Sequence, residues 1–376
     1  MKRIARWSLP TLPILAVLAA LRAHVDVATR PLWRRLQRVR DARGAGLAWL
    51  DAWRIAGMPA IAGGSALTEP QHAGEFLLAE RSVNRRESIT VLSGQNLAAG
   101  AVVGRVTKGV GGASVPTVVG TGNGTMSAVF AGPEIQKGNY VVKCIAIAAN
   151  GGTFSVTNPA GRALPNAVMA AGSVTYRSRE INFTITDGST DFALNDTFTI
   201  VVGTTAPTVV GTGNGTISGL SLGPDAKTGH YRVECIEAIT NGGAFKVVGP
   251  DGDEVAVGYI VAGAGGTLVL ANQRQLNLTI TDGSTDFAVG DYFNVAVFNE
   301  LSGKVVAWDP TTYDGRDDVA GILYDAVDAS AGDLPGVLVS RDAEVRKSAL
   351  QWAAAITAAQ KESAYRDLAA RGVIAL

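Results

Sequence analysis

The strongest constraint on the fold is a block of about ninety residues that occurs twice in succession. The sequence Pro116–Thr125 returns unchanged as Pro207–Thr216, at an offset of 91 residues. Asp187–Phe192 returns as Asp282–Phe287 at an offset of 95 residues, so the second copy has gained four residues. A duplication of this size indicates a repeated folding unit. Two copies of one unit inside an otherwise different chain indicate an insertion, so the flanking sequences must be read together.

Each copy has the pattern of a small β-sandwich. Turn sequences recur about every 8 to 12 residues, which is typical of all-β sandwiches. Ile181–Thr186 and Leu276–Thr281 alternate between apolar and polar residues, as half-buried strands do. The Asp-Gly pairs that follow predict hairpins, because glycine accepts the positive φ that such turns require. We therefore predict two tandem Ig-like β-sandwich repeats, over residues 111–205 and 206–298, and a mainly β chain.

The sequences around the repeats predict short strands and one helix. We expect strands at Phe76–Glu80 and Glu87–Leu92, and Gly109–Ser114 is predicted to be a glycine-rich hinge into the first copy. Near the C-terminus, Thr357 and Gln360 have the spacing of a helix capping box. A glycine at position 372 is placed to end that helix in a left-handed conformation.

Residues 1–57 differ in composition from the rest of the chain. They carry 11 Lys and Arg against three Asp, and they contain four of the six tryptophans. Three interpretations stay open: a start assigned too early, with Met58 as the true start; a signal-like or interfacial segment; and an appended domain. The first is favoured, because the apolar run Leu9–Leu21 is too short to span a bilayer, Pro10 and Pro13 interrupt it, and no clean cleavage site follows. Residues 58–75 contain little that could be buried and are predicted to form a flexible arm.

When both repeats are removed, the flanks join into a second recognisable sequence. It contains Trp308-Asp-Pro, then Asp314-Gly, then Ala320-Gly-Ile-Leu, after an alternating segment that begins at Ser88. This joined sequence resembles the lambda-type head decoration proteins of tailed bacteriophages. The resemblance covers residues 79–110 and 299–376, which we treat as one core domain, and it leaves residues 1–57 and the repeats unexplained.

The resemblance implies a small α+β, β-barrel-like core with a C-terminal helix, interrupted by the two repeats. It also implies a homotrimer that binds the major capsid protein on the outside of the expanded capsid and stabilises it against DNA pressure. In this family a flexible N-terminal arm contacts the capsid, which here corresponds to residues 58–78, and the repeats would project outward. The implied arm contacts are Leu67, Thr68, Glu69, Pro70, Phe76 and Leu77, and the implied core or trimer residues are Trp308, Ile322, Tyr324 and Trp352.

The sequence offers no recognisable catalytic or cofactor site. The chain has only three histidines, and the Gly-rich turn at Gly120 is not followed by the Lys-Ser/Thr of a phosphate-binding loop. The Asp-Gly-Ser-Thr-Asp turns favour an Asx-type turn over a calcium site. Cys144 and Cys235 occupy equivalent positions and are predicted to be buried free thiols. We therefore predict no enzyme activity, no cofactor, no metal, and neither nucleic acid nor membrane as a partner.

Three functions remain, in decreasing order of preference. The first is the capsid decoration protein, present on the virion and in the host cytoplasm during assembly. The second is a secreted surface protein whose β-repeats bind glycans or cells. The third is a hydrolase, for which no residue can be nominated. Weak binding of a host-surface ligand by the repeats is compatible with the first function.

Overall fold

The fold is that of a computed structural model, which describes residues 71–80, 86–261, 263 and 265–376. The predictions for residues 1–57, and for the arm residues Leu67, Thr68, Glu69 and Pro70, lie outside the described residues. Strands dominate the described chain, as the alternating sequence patterns predict, so the mainly β fold class is confirmed.

The N-terminal flank contributes five strands. In Arg86–Val91 the alternation predicted from the sequence places Ile89 and Val91 in the interior. The strands are β1 (Leu77–Glu80), β2 (Arg86–Val91), β3 (Asn96–Leu97), β4 (Val102–Arg105) and β5 (Lys108–Ala113).

The two repeats follow with nearly the same order of strands. The first copy contains β6 (Thr125–Ala131), β7 (Gly138–Ala148), β8 (Gly151–Thr157), β9 (Ala163–Met169), β10 (Ser173–Tyr176), β11 (Ile181–Thr186) and β12 (Thr197–Gly203). The second contains β13 (Val209–Val210), β14 (Thr216–Leu222), β15 (Gly229–Ile239), β16 (Gly242–Val248), β17 (Glu254–Ile260), β18 (Thr267–Leu270), β19 (Leu276–Thr281) and β20 (Tyr292–Asn299).

The C-terminal flank completes the fold with short strands and a helix. Thr357 and Gln360 form the predicted capping box at the start of α1, and Gly372 follows its end with a φ of 78°. The elements are β21 (Val305–Ala307), β22 (Val319–Leu323), β23 (Val327–Asp328), β24 (Leu334–Val339), β25 (Ala343–Val345), a 3-10 turn (Lys347–Ala349), α1 (Ala358–Ala370) and β26 (Val373–Ala375).

The two flanks close into one barrel, with strand order β2-β21-β4-β22-β24. Its interior is apolar and draws on strands from both flanks, including Val91, Val103, Val305, Leu323 and Leu338. A separate three-stranded sheet, β1-β25-β26, packs with α1 over one side of the barrel. Sequences more than 200 residues apart therefore build a single small domain.

Each repeat is a two-layer sandwich with its own apolar core. In the first copy the small sheet is β10-β11-β6, and in the second it is β14-β19-β18. The opposing layers belong to one continuous ten-stranded sheet, with the path β17-β16-β15-β20-β5-β12-β7-β8-β9 and β13 beside β20. The two sandwiches are therefore joined edge to edge.

The junction between the repeats corrects the expectation of a hinge. The predicted glycine-rich hinge is the strand β5, which pairs with β20 on one side and β12 on the other. A Cβ at position 111 would lie 2.0 Å from the Gly203 carbonyl oxygen, so glycine permits this close approach. Phe298 of β20 is also buried in the core of the first copy. The repeats thus share a strand and part of a core.

Candidate functional site

The predicted arm residues Phe76 and Leu77 belong to the folded core. Phe76 is completely buried among apolar side chains beneath α1, and its carbonyl accepts the Arg346 N–H at 2.8 Å. Leu77 pairs with Val345 in the β1–β25 ladder and packs against the same core. This placement agrees with the strand predicted at Phe76–Glu80 and corrects the expectation that the flexible arm extends through both residues. In this conformation the Phe76 side chain has no surface to offer a partner.

The chain leading into β1 is held against the barrel from its first described residue. The Gln351 side chain donates a hydrogen bond to Gln71 at 3.0 Å, and the Gly74 N–H donates to the Tyr324 carbonyl at 3.0 Å. At position 74 a Cβ would lie 2.9 Å from the Tyr324 ring, and φ is 74°, so glycine is required on both grounds. Tyr324 therefore serves as the surface on which this segment docks.

Strand β1 is an edge strand among the described elements. It pairs with β25 alone, and Leu78 on it is 46% exposed. At the end of the same strand, the Glu80 carboxylate accepts hydrogen bonds from two nitrogens of the Arg86 guanidinium. This guanidinium also lies 3.9 Å from the centre of the Tyr324 ring. A half-paired strand offers free backbone groups to an added strand. This edge is the first candidate interaction surface.

Two of the four predicted core or trimer residues are core residues. Trp308 is 2% exposed, and its indole N–H donates to the Asp317 carbonyl at 2.7 Å. Ile322 is completely buried in the same cluster. Both side chains hold the barrel against α1, and neither reaches the surface of the described chain.

The other two predicted residues, Tyr324 and Trp352, are only half buried. Trp352 makes edge-to-face contacts with Trp308 at 5.9 Å and with Tyr365 of α1 at 5.6 Å, measured between ring centres. The Lys361 ammonium lies 5.6 Å from the centre of the Trp352 ring. An aromatic row of this kind, open on one side and bordered by a cation, is a second candidate interaction surface.

The chain enters and leaves the repeats at one point of the barrel. The Glu300 N–H donates to the Thr107 carbonyl at 2.8 Å, and the Val106 N–H donates to the Lys304 carbonyl at 3.1 Å. A salt bridge of 2.6 Å between Lys137 and Glu300 fastens the first copy to this junction. Burial opposes ionisation of Glu300, but Lys137 and Ser302 together hold its pKa below the usual range. The repeats therefore occupy a single loop between β4 and β21.

The Thr-Gly-Asn-Gly turns of the repeats bind an internal carboxylate. Asp196, 3% exposed, accepts the N–H groups of Thr121 at 3.0 Å, Gly122 at 2.9 Å and Ala193 at 2.9 Å. Burial alone would raise the pKa of Asp196, but these three N–H groups bring it below the usual range. Asp291 makes the equivalent bonds in the second copy. The N–H groups of this glycine-rich turn are thus already occupied by a carboxylate of the chain.

The described residues contain no evident pairing of a nucleophile with a base. Burial raises the pKa of both free thiols, Cys144 and Cys235. The His230 ring forms a 2.8 Å hydrogen bond with Asn294, and burial lowers its pKa. No cluster of three or more His, Cys, Asp or Glu side chains suited to a metal occurs in the described part of the chain. None of its helices has the length and apolarity needed to cross a membrane.

Comparison with known families identifies the fold formed by the flanks. The family model of the bacteriophage lambda head decoration protein D matches residues 66–373. This span covers most of the chain, from the last arm residues to the strand after α1, and it includes the inserted repeats. No curated protein and no solved structure matches the chain.

Proposed function

The chain belongs to the family of the bacteriophage lambda head decoration protein D, and on that basis we propose that it binds phage capsids as a homotrimer. Its family assigns it a structural role on the capsid surface of the virion. We propose further that it stabilises the expanded capsid against internal DNA pressure, and that the host cytoplasm is where it joins the capsid. The family favours this role over a secreted glycan-binding protein or a hydrolase.

Contact with the major capsid protein is assigned to the arm and to the edge of β1. Leu67, Thr68, Glu69 and Pro70 immediately precede the segment that docks on Tyr324, so an arm contact would be tied directly to the barrel. The free edge of β1 supports the same assignment, because an extended capsid segment can add a strand there. A trimer would present three such contacts together, which raises the effective affinity of each weak one.

Contacts between subunits are assigned to the half-buried aromatic residues. Tyr324 and Trp352 keep part of their ring surface accessible to solvent, whereas Trp308 and Ile322 are buried in the core. Aromatic side chains are enriched at protein interfaces because they bury a large apolar area at small cost in side-chain entropy. The row formed by Trp352 and Tyr365 is therefore the favoured subunit contact.

The observation that best supports outward repeats is the shared entry and exit point between β4 and β21. From this junction β7 runs for 11 residues, which at about 3.3 Å per residue carries its far end roughly 33 Å away. The first repeat thus extends well beyond its point of attachment to the barrel. We infer that the repeats point away from the capsid.

Deletion of Val110–Asn299 tests the insertion. The hydrogen bond between Thr107 and Glu300 keeps the cut ends close, so β4 and β21 should reconnect as a hairpin. We expect the shortened protein and the full chain both to sediment as trimers and to bind capsids that lack decoration protein. A stable monomer of the full chain would contradict the proposed trimer, and loss of capsid binding on deletion would contradict the placement of the repeats.

Substitution of the arm tests the capsid contact separately. We expect replacement of Leu67, Thr68, Glu69 and Pro70 by glycine and serine to weaken capsid binding at least about tenfold, because the loss is multiplied over three arms. The trimer should persist, since these residues precede the folded core. Unchanged binding to capsids, measured by co-sedimentation, would show that another surface makes the contact.

A further inference from the structure

One carboxylate in each repeat is buried without a hydrogen-bond partner in the described chain. Asp282 is 6% exposed, and both of its carboxylate oxygens are shielded and accept no hydrogen bond. Both oxygens of its counterpart Asp187 are in the same state. Burying a carboxylate without a donor or a counter-charge is costly, so native structures rarely retain one without a reason. Here the same unmet group occurs twice.

The two carboxylates sit in matching surroundings at the far end of the sandwiches. The Asp282 N–H donates to the Gly266 carbonyl at 2.9 Å, and the Asp187 N–H donates to the Gly172 carbonyl at 2.7 Å. Four residues further on, an exposed aspartate in each turn accepts the N–H of a left-handed asparagine. These pairs are Asp286 with Asn241 at 2.9 Å and Asp191 with Asn150 at 3.2 Å.

This arrangement has survived a change in loop length. The connection from Ile260 to Gly266 in the second copy is three residues longer than its counterpart from Met169 to Gly172. The bond from the glycine carbonyl to the aspartate N–H is nevertheless present in both copies. The position of the buried carboxylate is therefore maintained while the loop around it differs.

A second buried aspartate at the same end shows that the fold can supply a carboxylate with hydrogen-bond donors. Asp291 accepts backbone N–H groups from Thr212, Gly213 and Ala288 at 2.8 to 3.0 Å. Asp282 accepts none, although only nine residues separate the two. A carboxylate that is buried and left free beside another carboxylate has the character of a cation ligand.

We propose that each repeat binds a divalent cation of the calcium class, held by Asp187 with Asp191 in the first copy and by Asp282 with Asp286 in the second. Calcium takes oxygen ligands from carboxylates, backbone carbonyls and water. Asp191 and Asp286 are exposed, which gives the ion a route from solvent. With two carboxylates per site, carbonyls and water complete the shell, so the affinity falls in the range of about 10⁻⁴ to 10⁻³ M found in extracellular modules.

The electrostatics of the pair agree with this site. Burial raises the pKa of Asp187 and Asp282, and the charges of Asp191 and Asp286 add to that rise. The N–H groups of Gly188 and Gly283 oppose it from nearby, although neither forms a well-aligned hydrogen bond with the carboxylate. A bound cation reverses the balance, because it stabilises the ionised form of both members of each pair. The ion would join the turns at the far end of each sandwich.

Calcium titration of the full chain tests the proposal. After removal of metal with EDTA, isothermal titration calorimetry with calcium chloride should show two ions bound per chain. The midpoint of thermal unfolding should rise with calcium concentration, as linkage requires for an ion that binds the folded state alone. Absence of binding and of any shift up to about 10 mM calcium, well above the expected dissociation constant, would overturn the proposal.

Substitutions locate the two sites. We expect Asp187→Asn and Asp282→Asn each to reduce the stoichiometry from two ions to one, and the double variant to bind none. Asn has nearly the shape of Asp and carries no charge, so folding should be retained. Asp191→Asn and Asp286→Asn, at exposed positions, should weaken binding at least about tenfold and provide a second test that does not alter a buried group.

Asp225→Asn and Asp251→Asn are the matched controls, because both residues form exposed ion pairs outside the two turns. These controls should bind two ions per chain, as the unaltered protein does. Calcium binding that persists in the Asp187→Asn, Asp282→Asn double variant would place the ion elsewhere and overturn the assignment.

Discussion

The two repeats share a scaffold but satisfy one buried tyrosine in different ways. In the first copy the Tyr140 hydroxyl donates at 3.0 Å to Glu180, which is 1% exposed. Glu180 also accepts from the Asn158 side chain at 3.2 Å and pairs with the Arg162 guanidinium. In the second copy the Tyr231 hydroxyl donates at 2.8 Å to Gln275. A charged network in one copy is thus a neutral contact in the other.

The supporting residues have changed together with the acceptor. Asn158 and Arg162 of the first copy correspond to Gly249 and Asp253 of the second, so the second copy has neither the amide nor the cation. A buried tyrosine requires an acceptor, but the charge of that acceptor depends on whether a counter-charge is present. The fold therefore requires a hydrogen-bond acceptor for the tyrosine hydroxyl, and the residues around that acceptor decide whether it is charged or neutral.

A second difference lies where the repeats touch each other. His230 of the second copy stands at the position that Asn139 holds in the first. Its ring meets Phe130 of the first copy edge to face, with ring centres 4.9 Å apart. Equivalent positions therefore have unequal surroundings, because only one of them faces the other repeat.

Each copy has an aspartate that accepts hydrogen bonds from its Thr-Gly-Asn-Gly turn, and removal of this carboxylate should have the largest effect on stability. The effect should be alike in both copies. Asp196→Ala and Asp291→Ala each leave three backbone N–H groups of a glycine-rich turn without an acceptor. We expect each to lower the free energy of unfolding by about 3–5 kcal/mol. Chemical denaturation would measure this, and a large effect in only one copy would break the equivalence of the turns.

Placing a charge in the neutral copy should have the next largest effect. Gln275→Glu introduces a half-buried carboxylate beside the Tyr231 hydroxyl without the Arg and Asn that accompany Glu180. We expect a loss of about 1–3 kcal/mol in the free energy of unfolding at neutral pH. An apolar substitution would not test the effect of the charge, so Glu180→Gln is the matched control. This control should lower the free energy of unfolding by less than about 1 kcal/mol, since the second copy already uses glutamine.

Loss of the cation in the charged copy should have a smaller effect. Arg162→Ala leaves Glu180 buried with only Tyr140 and Asn158 as donors. The Arg162 side chain is 63% exposed, and solvent screening limits its contribution, so we expect a loss of about 1–2 kcal/mol. Combining Arg162→Ala with Glu180→Gln should recover most of the lost stability. If the double variant is no more stable than Arg162→Ala alone, the coupling between the two residues is absent.

The smallest expected effect is a loss of stability in mild acid that His230 causes in the second copy alone. Burial holds the folded-state pKa of His230 below its ordinary value of 6.5, Arg232 acts in the same direction, and the hydrogen bond with Asn294 opposes both. The unfolded chain therefore binds the proton more readily, and stability should fall as the pH drops below 6.5. His230→Asn, which installs the residue of the first copy, should flatten this dependence in thermal unfolding between about pH 7.5 and 5. An unchanged slope would place the titrating group elsewhere.

The sequence predicted the features that depend on neighbouring residues. The alternation of Ile181–Thr186 and Leu276–Thr281 predicted strands that the structure contains with the same bounds. The capping box at Thr357 is confirmed, as is the mainly β fold class. The Trp308-Asp-Pro and Ala320-Gly-Ile-Leu segments pointed to the family that the comparison confirms. The capsid contacts of the arm and the trimer contacts of Trp352 and Tyr324 remain predictions.

Features that depend on distant partners were missed or misassigned. Three glycines in β5 suggested a hinge, because a strand without apolar alternation has no side-chain signature. The strand predicted at Phe76–Glu80 is present as β1, but Phe76 was also assigned to the arm, since nothing near it in sequence indicates the core beneath α1 that buries it. The buried, partnerless state of Asp187 and Asp282 was also invisible, because both lie in turns that resemble ordinary Asx-type turns.

The sequence by itself determined the duplication, the strands with period-2 alternation, the capped helix and the family. These signals are local: they arise from the geometry of a strand or of one helical turn and need only a few adjacent residues. The tertiary structure alone decided that β5 joins β12 to β20 and merges the two repeats into one sheet. The physical reason is that backbone hydrogen bonds between strands are the same for every residue type, so the sequence of β5 does not name the strands it will pair with.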